Sequence, residues 1–171
     1  IVLNINADVI AARLATELWD LAAPRELEKR ASRMQGLGAS ALAWTAVSTS
    51  QRQTNQMQRS LGSARKAAEQ AARVPGLISR AIALAAAVRT LALSHAPKEE
   101  LAAAVSRMET AARAAGDRAA LASGALSAAL GKDPDAALRL ADEARKRAGD
   151  ASTHAAQVQL EARIWAAVGQ V

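Results

Sequence analysis

The chain has 171 residues, a net charge of +6, three Trp, two His and no Cys, Phe or Tyr. Without cysteine there can be no disulfide, thiolate metal site or cysteine nucleophile. The length suits a single domain, 1–171, that buries roughly two thirds of its extended surface.

Alanine and leucine supply most of the apolar residues. Alanine is the best helix former because it loses no side-chain entropy on ordering. With Tyr and Phe absent and Val and Ile sparse, sheet is disfavoured. The composition therefore predicts an all-α fold.

In chain order, residues 6–22 read as a helix, with Ile10, Leu14, Leu18 and Leu21 at three- and four-residue spacing and Asn4 or Asn6 as the cap. Pro24 separates it from a short segment holding Glu26, Lys29, Arg30 and Arg33, which Gly36 and Gly38 end. Residues 39–47 are apolar and include Trp44; Ser48, Thr49 and Ser50 interrupt them, and a Gln-, Arg- and Asn-containing run follows. Two readings stand here, one helix reaching Arg73 or two helices broken near Leu61-Gly62. Pro75-Gly76 closes the segment.

Beyond Pro75 the pattern is regular. Residues 77–94 form a helix whose stretch from Ala81 to Val88 is the most apolar of the chain. It is far short of the ~20 residues of a membrane span, so it reads as the most buried helix. Pro97 sits at the next helix start, with Glu99 and Glu100 in its first turn. One face then carries Leu101, Ala104, Val105, Met108, Ala111, Ala112 and Ala115. Gly116 and Asp117 separate this helix from residues 119–130, and Gly131 with Asp133-Pro134 separates that one from a helix lined by Ala137, Leu140, Ala141, Ala144 and Ala148. Asp150 caps a last helix with two apolar stripes that include Val158, Leu160, Ile164 and Trp165.

Turns at Ser94–Pro97, at Gly131–Pro134 and near Gly169 recur about every 37 residues, with Gly76, Gly116 and Gly149 between them. A period in this range marks stacked helical hairpins. The pattern resembles the tetratricopeptide-repeat family in a degenerate, lengthened form, most clearly from Gly116 onward. Gly124 and Leu130-Gly131 match the first helix and turn; Ala137 and Ala144 match the small packing positions of the second helix, with Leu140 or Ala141 between. The family's aromatics are missing, and no proline follows Gly149. The resemblance covers 77–171 and implies a right-handed solenoid; an up-down helical bundle is the alternative fold. It also implies a non-catalytic domain that binds a peptide or protein on a concave face. Arg80, Arg89, Arg118, Gln157, Glu161 and Arg163 are the candidates for that face.

Candidate chemistry is sparse. His95 and His154 each have one carboxylate four residues away, Glu99 and Asp150. That falls short of the ligand set of a zinc site, and His95 reads instead as part of a helix end. The acids Glu99, Glu100, Asp133 and Asp135 all lie at helix starts, where capping and the helix dipole account for them. No enzyme activity and no cofactor are expected. Trp19, Trp44 and Trp165 read as core anchors.

Charge is uneven. Lys29, Arg30, Arg33, Arg52, Arg59, Arg65 and Lys66 occur with no acid between Glu28 and Glu69. The expectation is a basic, less regular helical part over 1–75 joined to hairpin repeats over 76–171. Arg30, Arg33, Arg59 and Arg65 are the candidates for contact with an acidic protein or peptide. Nucleic acid is the weaker reading, because the basic residues are thinly spread and no recognition motif or aromatic platform accompanies them. A ligand-sensing or structural bundle is the alternative function. Oligomerisation stays open, and a cytoplasmic location is expected, with room for a targeting segment lost before Ile1.

Overall fold

The computed structural model describes residues 23–131 and 133–146, all helical apart from short turns. In order these are α1 (Ala23–Arg33), α2 (Leu37–Gln53), α3 (Met57–Ala72), α4 (Leu77–Leu93), α5 (Lys98–Ala115), α6 (Asp117–Leu130) and α7 (Pro134–Lys146). The all-α expectation holds for the described residues. The helices expected over 6–22 and from Asp150 onward lie outside them.

Each helix packs on the next, and α4 also meets α2 and α6. Among the described residues, helix α4 thus has four neighbours, α2, α3, α5 and α6. This accounts for eight consecutive buried residues, Ala81–Val88, as their apolar run predicts. The expected stripe on α5 is also present: Ala104, Met108, Ala111 and Ala112 are buried, and Leu101, Val105 and Ala115 are half-buried. Trp44 on α2 is 5% exposed and joins the same core as Leu84, Leu91, Met108 and Leu126.

The polar segment after Trp44 is where sequence and structure part. Neither a continuous helix nor a break at Leu61-Gly62 occurs. The break is at Thr54–Gln56, and Gly62 lies inside α3. Asn55 takes a left-handed conformation (φ 60°), a region in which Asn is enriched. The Asn55 N–H then donates to the Arg52 carbonyl and the Gln56 N–H to the Gln51 carbonyl, the paired bonds of a Schellman end. Forty residues on, the end of α4 repeats this. His95 has φ 56°, with its N–H on the Ala92 carbonyl and the Ala96 N–H on the Leu91 carbonyl. The end of α6 shows the matching Asp133 N–H to Ala128 carbonyl bond.

Three hairpins follow, α2/α3, α4/α5 and α6/α7, and each opens on a glycine: Gly36, Gly76 and Gly116. The hairpin rhythm therefore begins at Gly36, earlier than Pro75, and its starts are forty residues apart. Among the described residues, the shorter spacing of about 37 holds only between the ends of α4 and α6, because α6 has 14 residues where α4 has 17; the turn expected near Gly169 lies outside them. Gly38, expected to end a segment, instead lies in the first turn of α2.

The glycines differ in what they do. Gly116 has φ 120°, which L side chains rarely adopt, whereas a methyl group on Gly62 would meet nothing within 4 Å. Gly62→Ala should therefore raise stability by about 0.5–1 kcal/mol through helix propensity alone. Gly116→Ala should lower it by about 1 kcal/mol or more. Urea-denaturation midpoints of the two variants should move in opposite directions.

Candidate interaction surface

Helix α1 exposes Arg25, Lys29 and Arg33. Four-residue spacing puts all three on one stripe. The two carboxylates of α1 are engaged elsewhere. Glu26 accepts from Arg30 Nε at 3.3 Å, and Glu28 accepts from Arg59 Nη2 on α3 at 2.7 Å. The stripe is thus left without a carboxylate to offset it on its own helix.

Helix α3 carries the next two ties. Arg59 reaches back to α1, and Arg65 reaches forward to α5, where Glu100 accepts from Nε at 3.0 Å and from Nη2 at 2.8 Å. The second pair is bidentate, the geometry that suits a guanidinium best. Two of the arginines proposed for partner contact thereby link three successive odd-numbered helices. Lys66, one turn from Gly62, lies with Nζ 4.2 Å from the ring centroid of Trp44. Such a cation–π contact is worth about 0.5–1 kcal/mol at a partly exposed site.

Of the other sequence-predicted site residues, Arg30 and Arg33 are exposed on α1, with Arg30 paired to Glu26. The Arg80 guanidinium donates to the Val74 and Pro75 carbonyls and so closes the turn between α3 and α4. Arg89 is half-buried on α4. The Arg118 side chain, Gln157, Glu161 and Arg163 lie outside the described residues, as do Trp19, Trp165 and His154. Arg25 was missed because it falls before Lys29; its spacing to Lys29 and Arg33 was the available signal.

His95 holds a backbone position at the end of α4, as expected. The Asp133 carboxylate accepts from the Ala136 N–H at 3.0 Å and caps α7. Helices α6 and α7 border an open cleft of about 410 Å³ lined by Asp117, Ala120, Leu121 and Leu140. Among the described residues, no three His, Asp or Glu side chains gather as a metal site, and no helix is long and apolar enough to cross a membrane. No protein-family model, curated protein or solved structure matches the chain.

The hydrogen bond from Arg65 holds the Glu100 carboxyl below the ordinary glutamate range; partial burial opposes this, and the charges of Arg65 and Arg107 add to it. Because the folded value is the depressed one, the pair's contribution is fully present above the unfolded glutamate pKa of about 4.3. It is lost as pH falls through the lower folded value. In a carboxyl NMR titration, Glu100 should have a midpoint below the unfolded glutamate value, and Arg65→Met should raise it.

Proposed function

We propose that the chain is a non-catalytic protein-interaction domain, an open array of helical hairpins that binds an acidic segment of a partner through α1. The observation that carries the reading is the Arg25–Lys29–Arg33 stripe. It is exposed, it follows one face of a helix, and the acids nearest in sequence are held by Arg30 and Arg59. A cationic stripe on a rigid helix attracts an acidic chain at long range and loses that attraction as salt is added.

The packing order supports the array. Hairpins meet their neighbours, and contact between alternate helices runs from α2 to α4 and from α4 to α6. This is the arrangement that tetratricopeptide-like stacking would give, with the first helix of each hairpin in one layer and the second in another.

The test is a fluorescence-anisotropy titration of the full chain with a labelled Asp/Glu-rich peptide at two salt concentrations. A duplex DNA of similar length serves as the competing arm. Binding of the peptide should weaken with salt. The variant Arg25→Glu/Lys29→Glu/Arg33→Glu should lose roughly tenfold or more in affinity, on the scale of about 0.2–1 kcal/mol per exposed pair with each charge reversed. Equal affinity for the variant, or tighter binding of DNA than of peptide, would overturn the reading.

A further inference from the structure

The tip of the first hairpin is built on a polar core. Ser48, Gln51 and Ser60 are 0% exposed and Ser63 is 4% exposed. Ser48 and Ser60 donate to each other's carbonyl oxygens at 2.8 and 2.9 Å. Their hydroxyls also lie 3.2 and 2.7 Å from that of Ser94, the residue ending α4. Three hydroxyl protons thus serve more contacts than they can satisfy at once. Nearby, Ser63 donates to Gln51 Oε1 at 2.7 Å, while Gln51 Nε2 has no acceptor among the described residues.

Forty residues on, the second hairpin fills the matching positions of its first helix with Val88 and Leu91, both buried. The comparison is internal to one chain, between two hairpins with the same left-handed turn. Apolar side chains lose a large transfer free energy when water enters, whereas hydroxyl and amide groups regain hydrogen bonds from water.

The local helix is also weaker. The segment Thr45–Ser50 reads Thr, Ala, Val, Ser, Thr, Ser, and the hydroxyls of Thr45 and Thr49 bond back to carbonyls of their own helix. Such residues have lower helix propensity than the run of alanines at the equivalent part of α4.

We propose that the tip of the first hairpin, residues 45–63, is a local opening unit that separates from the end of α4 at Ser94 while α4 and α5 stay folded. The reciprocal serine bonds are the latch. They give the closed state its register with less apolar burial than holds the second tip shut, Val47 being the one large apolar side chain buried in the unit, so opening uncovers the Ser94 end of α4 at smaller cost.

Amide hydrogen exchange on the full chain, with rates corrected for sequence, tests this by comparing residues 48–53 with 88–93. Protection factors should be at least about tenfold lower in the first segment. Gln51→Leu/Ser63→Ala, which installs the second hairpin's residues, should raise protection over 45–63 severalfold and leave 88–93 unchanged. Equal protection of the two wild-type segments would overturn the proposal whether or not the variant folds. A variant that changes both segments equally would also overturn it, since opening would then be global.

Discussion

Helix α4 is enclosed by four others, and the arrangement depends on how closely they approach it. Alanine makes this feasible. Ala81, Ala83, Ala85, Ala86 and Ala87 are buried, and their small side chains let neighbouring backbones approach. Each alanine buries little apolar area, so the larger side chains matter more than their number suggests. Trp44, Leu91, Met108 and Leu126 fill the spaces that small residues leave between hairpins. A bulky substitution within Ala81–Val88 has no open side to relax toward.

Close packing also explains the distribution of charge. The layer of α2, α4 and α6 leaves little room for long side chains, and long charged side chains are carried largely by the odd-numbered helices. There the arginines of α3 act between hairpins: Arg59 ties back to Glu28 and Arg65 ties forward to Glu100. Exposed ion pairs contribute little individually, but pairs across elements set orientation as well as energy. The basic bias of the segment is thus partly consumed inside the fold. Among the described residues, what remains unpaired and outward-facing concentrates on α1, as Arg25, Lys29 and Arg33.

The first and second hairpins show how one backbone plan accommodates two kinds of core. Both use a left-handed residue to end the first helix, Asn55 in one and His95 in the other. Between the helices, the second is apolar and the first is hydroxyl-rich. Reciprocal serine bonds demand exact placement of two helices, whereas apolar contacts tolerate small shifts. The hydroxyl core therefore trades depth of stability for register, and the unpaired Gln51 Nε2 marks where that exchange is least complete.

Sequence alone determined the helical class, the buried character of residues 81–88, the apolar face of α5 and the proline- and glycine-marked turns after Pro75. These follow from spacing and from conformational limits on single residues, which are local properties. It misplaced the break between α2 and α3, because Gly62 is the stronger punctuation in a string of letters while Asn55 is the residue that adopts the left-handed turn. It set a period near 37, because shortening of α6 looks the same as a shorter repeat. It identified the cations but not their partners. Glu28 lies 31 residues from Arg59 and Glu100 lies 35 from Arg65, and only packing brings them within reach. Burial of Ser48, Ser60 and Ser94 was likewise decided by tertiary structure. A serine has no strong preference for core or surface until a second helix supplies the hydroxyl or carbonyl that makes burial affordable.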